Sequence, residues 1–324
     1  MRTPLRVLLS TALLAGCTQT NNFLFGVGDC HLEQLGQTPL QVKDGLDMVI
    51  VDLDGHPVRL VIDTGAEHSL LSSDAAKRLA LRTDLDHATR SWGVGGPTAR
   101  YDAHVNDFVL AGLSLPVHRI AVGDLSVGDI PGKPDGLLGT DVLRWFDLDI
   151  DPAEERLTLY RGEPCWLKAP PWPEPAVAIG GIEGIRSQID APRDLLVPIR
   201  VDGTKAMALF DTGSQASAVS LSLAEDIGIP RASLATDRTI TVAGAGPDTV
   251  ILPLHRFHTL QVGAWIAQDP VIPVLDVPQA DEEDPLVIHR RWQGVIGQDL
   301  LRNHRVWISM AGWQIFLSQP DAAK

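Results

Sequence analysis

The segment VIVDLDGHPVRLVIDTG, residues 49–65, returns without a gap as VPIRVDGTKAMALFDTG, residues 197–213. In each copy apolar residues alternate (Val49, Val51, Leu53; Val197, Ile199, Val201) up to an Asp-Gly pair at 54–55 or 202–203. A second apolar run then ends in Asp-Thr-Gly. Period-two alternation, a two-residue turn signal and a second run predict a β-hairpin in both copies. The acid that closes each hairpin, Asp63 or Asp211, falls where a buried strand would continue, and burying a charge there is costly unless something is arranged to use it.

The match extends forwards. Ser72-Ser73 precede DAAKRLAL and Ser220-Leu221-Ser222 precede LAEDIGI, each a hydroxyl N-cap followed by a short helix. WGVGGP (92–97) corresponds loosely to VAGAGP (242–247), and DGLLGTDVLRWFDLDID (135–151) to QGVIGQDLLRNHRVWIS (293–309). Asp141 and Asp299 are expected to cap the short helices that begin there. A repeat this long means two similar lobes rather than a solenoid. The Pro- and Gly-rich stretch APPWPEPAVAIGGIEG (169–184) reads as the connection between them, and DVPQADEEDP (276–285) as a solvated acidic loop.

A chain of 324 residues has room for two such lobes. Its 29 glycines and 23 prolines suit strands and turns better than a helical bundle. The net charge of −14, with no basic block, argues against nucleic acid as a partner. His255 and His258 fall on opposite faces of a predicted strand, so no shared metal is expected there.

Paired corners have a chemical reason. A lone carboxyl in apolar surroundings takes up a proton and becomes inert, whereas two carboxyls held together share one proton. The ionised member can then accept a proton from water, and the protonated member can donate to the carbonyl oxygen that the water attacks. Gly65 and Gly213 allow tight turns with backbone N–H groups free for the carboxyls. Thr64 and Thr212 carry hydroxyls able to bond across to the opposite loop.

Two hydrophobic-hydrophobic-Asp-Thr-Gly corners, each followed by a hydrophobic-hydrophobic-Gly element (Leu137-Leu138-Gly139; Val295-Ile296-Gly297), resemble the aspartic peptidases of the pepsin and retropepsin superfamily, in the compact bacterial two-lobe retropepsin-like form. WGVGGP is similar to their Gly-rich flap, and GLLGTDVL to their final element. The resemblance implies an all-β fold of two pseudo-symmetric lobes with an active-site cleft between them. It implies Asp63 and Asp211 as catalytic residues, with Thr64, Gly65, Thr212 and Gly213 in support. Water would be the nucleophile and an extended polypeptide the substrate, with no cofactor or metal. Ala66, Ser214 and the flap residues Trp92, Gly93, Val94, Gly95 and Gly96 would meet substrate, although Trp92 reads equally as a packing residue. A single chain holding both halves needs no partner copy, so a monomer is expected. The alternative is a silent peptide- or envelope-binding protein of the same fold.

Three departures stand out. Retropepsins usually carry Arg after the last glycine of the final element, where this chain has Thr140 and Gln298, so an ion pair near the dyad is expected to be missing or replaced. The second flap segment is the weaker match, which suggests one working flap. Ala66 lacks the hydroxyl that Ser214 could direct at its carboxylate, and the dyad is expected to work nearer neutral pH than a gastric enzyme.

Arg2 and Arg6 ahead of the apolar stretch Val7–Ala15 have the order of a secretory signal. Leu14-Ala15-Gly16-Cys17 resembles a bacterial lipobox, which implies cleavage before Cys17, its acylation, and a periplasmic protein held to the outer membrane by lipid. A plain signal with an incidental Cys17 is the other reading. Cys30 and Cys165 would then form a disulfide or remain two buried thiols. The expected organisation is a signal over 1–16, a tether over 17–28, an N-terminal lobe over 29–168, a linker over 169–192 and a C-terminal lobe over 193–319.

Overall fold

A computed structural model describes residues 26–27, 31–84, 86–89, 91–125, 132–163, 165–166, 169–181, 195–276 and 292–319. The signal, Cys17, Cys30 and the disulfide expected of it, and nearly all of the acidic loop lie outside the described residues. Cys165 lies in a short strand, Cys165–Trp166, paired in parallel with Gly26–Val27.

The alternating apolar residues of the repeat do form the core. In the hairpin Leu46–Leu53/His56–Ile62, Val49, Val51, Leu53, Val58, Leu60 and Ile62 are fully buried. In Leu196–Val201/Thr204–Phe210, the same places are taken by Val197, Ile199, Val201, Ala206, Ala208 and Phe210. Both Asp-Gly pairs turn with positive φ at both residues (Asp54 53°, Gly55 81°; Asp202 47°, Gly203 82°), the turn whose twist matches the flanking strands. The acids also reach outwards. Asp54 Oδ1 accepts from the Asn106 and Asp107 backbone N–H groups, and Asp202 Oδ1 from those of His258 and Thr259. Each turn thereby anchors the next strand pair.

Behind each hairpin the chain is threaded in the same way. Gly136–Leu138 runs parallel to His56–Ile62 and antiparallel to Leu70–Ser72. Gly294–Ile296 runs parallel to Thr204–Phe210 and antiparallel to Ala218–Ser220. Short helices Ser73–Arg78 and Leu221–Asp226 follow, capped by the hydroxyls of Ser72 and Ser220 at 3.1 Å. The described residues therefore form an all-β molecule of two pseudo-symmetric lobes. Among the described residues no helix is long and apolar enough to cross a membrane.

One sheet joins the lobes, in the strand order Ala176–Gly181, Gln314–Ser318, Val306–Ser309, Asp147–Asp151, Arg156–Gly162, Leu32–Lys43. At its middle Leu148 faces Ile308 and Ile150 faces Val306 across an antiparallel pair. The order is symmetric about that pair, so Ala176–Gly181 is the counterpart of Leu32–Lys43. Part of the stretch read as a connection is thus a strand of this sheet, opening the second copy. On one face, Arg305 clamps Asp149 with two hydrogen bonds of 2.8 and 2.7 Å, approaches Asp151 at 3.4 Å and lies over the Trp172 ring.

Replacing Asp54 or Asp202 with Ala should leave two backbone N–H groups without their acceptor and force a non-polar side chain into a left-handed turn. Each variant is expected to lose about 1–3 kcal/mol, measured as a lower urea midpoint at unchanged m-value.

Candidate active site

The two Asp-Thr-Gly corners meet where the lobes touch. Each Asp continues its strand by one residue, because its N–H donates to the neighbouring parallel strand: Asp63 to the Leu138 carbonyl and Asp211 to that of Ile296, both at 3.0 Å. The chain then doubles back. Asp63 Oδ1 accepts from the N–H groups of Gly65 and Ala66 at 3.0 and 2.9 Å, and Asp211 Oδ1 from those of Gly213 and Ser214 at 2.9 and 3.0 Å.

The threonines tie one corner to the other. Thr64 Oγ1 accepts from the Thr212 N–H (3.1 Å) and donates to the Phe210 carbonyl (2.6 Å). Thr212 Oγ1 accepts from the Thr64 N–H (3.2 Å) and donates to the Ile62 carbonyl (2.6 Å). Both threonines are at most 1% exposed, so these bonds form away from competing water. The glycines complete the approach: a β-carbon at Gly65 would overlap the Asp211 carboxyl, and one at Gly213 would overlap that of Asp63. Only a bare backbone lets each carboxyl pack against the opposite corner.

This packing controls the ionisation. Burial raises the Asp63 pKa well above the ordinary carboxyl value, the adjacent Asp211 charge and the hydrogen bond to Asp211 raise it further, and the backbone N–H groups oppose the rise. Burial raises Asp211 as well, against the N–H donors of Gly213, Ser214 and Gly65 and the hydrogen bond from Asp63. Two carboxyls in contact titrate as a unit holding one proton over a wide pH range. The Ser214 hydroxyl has no share in this, because it donates to the Ala216 carbonyl at 2.8 Å. The Ala66/Ser214 difference therefore does not act through a hydroxyl on the carboxylate.

A brace behind each corner went unread in the sequence. Ser69 Oγ accepts from the Gly139 N–H and donates to Asp141 Oδ1, at 3.0 and 2.7 Å. Ser217 repeats this with Gly297 and Asp299 at the same two distances. Asp141 and Asp299 do not cap the helices Thr140–Leu143 and Gln298–Leu301, whose N-caps are Gly139 and Gly297. They lie one residue inside and turn back to the corner. The signal was available, since Ser69/Ser217 and Asp141/Asp299 each occupy equivalent places in the repeat.

The two flap segments meet. Trp92–Gly93 and Gly96–Pro97 pair as a small hairpin. In the other lobe, Arg238–Val242 and Val250–Arg256 pair as a hairpin whose loop carries residues 243–249. The Gly95 N–H donates to the Ala245 carbonyl (3.0 Å), the Asp248 N–H to that of Gly95 (3.2 Å), and the Gly246 N–H to that of Asp124 (3.1 Å). The two segments are thus joined through backbone bonds. Val94, at the tip, is 44% exposed.

Among the described residues no group of three or more His, Cys, Asp or Glu is arranged to hold a metal. His255 Nδ1 lies 2.7 Å from Asp237, while the His258 backbone bonds the Asp202 turn.

A family model described as aspartyl protease matches residues 49–142 and 197–300, one segment in each lobe. Among solved structures, a retropepsin-like aspartic protease from Rickettsia conorii is similar at 20% identity and a TM-score of 0.28, over 41% of this chain and 94% of that one. No curated protein matches the chain.

Replacing Thr212 with Val removes a buried hydroxyl of nearly the same shape and leaves the Thr64 N–H and the Ile62 carbonyl unpaired. The expected loss is about 1–3 kcal/mol for each group left unpaired, read by urea denaturation, with Thr212→Ser retaining most of the stability. A carboxyl pKa that folding raises means the folded chain holds that proton more tightly. The stabilisation is fully present below the ordinary value of 3.8 and is lost as pH rises through the raised values. Urea midpoints should therefore fall as pH climbs from about 4 towards neutrality, and fall less in the double variant Asp63→Asn/Asp211→Asn.

Proposed function

The chain belongs to the aspartyl protease family, whose model matches both of its halves, and on that premise we propose that it is an endopeptidase. It hydrolyses peptide bonds in extended polypeptides by means of the Asp63/Asp211 pair. One observation carries the reading: each carboxyl is packed against the glycine of the opposite corner, in a buried setting that raises both pKa values.

The reaction needs a water between the carboxyls. The ionised carboxyl takes one proton from the water as its oxygen attacks the scissile carbonyl carbon, and the protonated carboxyl donates to the carbonyl oxygen. The tetrahedral gem-diol then collapses. A proton passes to the amide nitrogen, the C–N bond breaks, and a carboxylic acid and an amine leave. One proton remains on the pair, which is ready for the next turnover. Ala66, Ser214 and the paired flaps would hold the polypeptide, with the flap backbones offering it hydrogen bonds once their bonds to each other open.

The cellular setting in this proposal is the periplasm, with a lipid on Cys17 holding a monomer to the outer membrane. It rests on the Arg2/Arg6, apolar, Leu14-Ala15-Gly16-Cys17 order of the first residues.

The test incubates the purified protein with a mixture of unstructured peptides beside Asp63→Asn and Asp211→Asn. Either substitution should reduce cleavage at least ~10³-fold while leaving the fold intact, a loss in the range of removing an essential acid or base. Cleavage that persists in either variant would overturn the mechanism.

A further inference from the structure

Behind the Asp211 corner, Gln298 stands where an arginine was expected from the family pattern. It opens the helix Gln298–Leu301 and is 2% exposed. Its Nε2 group donates twice, to the Thr212 carbonyl and to Asp47 Oδ2, both at 3.0 Å. Asp47 belongs to the other lobe, on Leu46–Leu53, and is 4% exposed. One carboxamide thus touches the middle residue of the C-terminal Asp-Thr-Gly and a buried carboxyl across the lobe boundary. The N-terminal lobe has Thr140 in the equivalent place, with its hydroxyl donating to the Ala66 carbonyl of its own lobe at 3.1 Å.

The Thr212 carbonyl matters because of what shares its peptide plane. A peptide unit is rigid and trans, so the direction of the Thr212 C=O fixes that of the Gly213 N–H. That N–H donates to Asp211 Oδ1 at 2.9 Å. The preceding peptide is held from the opposite lobe as well, through the Thr212 N–H on Thr64 Oγ1. A residue gripping the Thr212 carbonyl therefore sets the orientation of the donor that aims the Asp211 carboxyl.

We propose that Gln298 is a positioning residue for Asp211, holding the Thr212–Gly213 peptide in its bonding orientation by a carboxamide that is itself anchored on Asp47 of the other lobe. Docking of the lobes and alignment of the carboxyl then become one event. The kinetic consequence rests on the peptidase reading above; the structural one does not. The burial of Asp47 fits an anchoring role. Burial raises its carboxyl to about 6 even against the Gln298 hydrogen bond, which lowers it, so the ionised form of this buried carboxyl draws on the Gln298 carboxamide.

The test uses the full-length protein and the variants Gln298→Met, Asp47→Leu and Asp47→Asn. Met keeps the length of Gln without its donors, a volume-conserving change that cores tolerate. Asn keeps an oxygen that accepts from Gln298, which Leu lacks. Peptide cleavage gives kcat and KM, and 13C NMR of the aspartate carboxyls gives the titration of the Asp63/Asp211 pair. Gln298→Met should lower kcat ~10–100-fold, as small misplacements of reacting groups do, with KM changed less than about twofold, the mark of an interaction realised in the transition state. It should also displace the titration of the pair. Asp47→Leu should behave likewise, and Asp47→Asn should recover most of that loss. The proposal is overturned if Gln298→Met moves the Asp47 signal and leaves the pair titrating as in the parent. Should Gln298→Met not fold, the contrast between Leu and Asn at position 47 decides by the same titration. A parent that cleaves no peptide defeats the peptidase reading, and the titrations still decide the positioning role.

Discussion

Two like-charged groups from distant parts of the chain must be kept against one another where water reaches them poorly. Left alone, a buried carboxyl takes up a proton, and two that approach repel or drift apart. The structure answers in layers. Backbone N–H groups hold one oxygen of each carboxyl, the threonines exchange hydrogen bonds between corners, and Ser69 and Ser217 brace the turns from behind. The last three residues of the strand before each corner are buried, which gives the turns a rigid base.

Most of these parts occur twice, but a single chain lets the copies diverge. Thr140 and Gln298 occupy equivalent places and differ in reach, so the Asp211 corner engages the opposite lobe through a long carboxamide. Ala66 and Ser214 differ too, yet the serine hydroxyl turns to the Ala216 carbonyl. The difference beside the carboxyls thus leaves them alone, and the one behind them reaches the backbone of the Asp211 corner. Distance along the chain was a poor guide to which mattered.

The two-lobed β architecture could be read from residues 49–65 and 197–213 because alternation, turn residues and the closing Asp-Thr-Gly agree at every level, as they must where one face is buried. The approach of Asp63 to Asp211 followed from the same repeat. What stayed hidden depends on contacts between segments remote in sequence. Asp141 looked like a helix cap because its place relative to Thr140 is local information; its real donor, Ser69, lies in another turn. The flap pairing is made of backbone bonds, which leave little trace in side-chain pattern. Ala176–Gly181 was masked by the prolines just ahead of it and by its own two closing glycines, which suit an edge strand as well as a connection.

The sheet shared by the lobes also bears on how the polypeptide is made. Asp147–Asp151 pairs with Val306–Ser309, residues synthesised much later. Until they emerge, the nascent N-terminal half presents an unpaired ladder of backbone donors and acceptors, the kind of edge on which chains aggregate. Asp147, Asp149 and Asp151 alternate along that strand, so three acids line one face of the exposed edge. Charged side chains discourage adventitious pairing; Asp151 meets Arg156 of its own half, and Asp149 gains its partner when Arg305 arrives with the strand that belongs there. The same acids that keep strangers off the growing chain mark the place for its own second half.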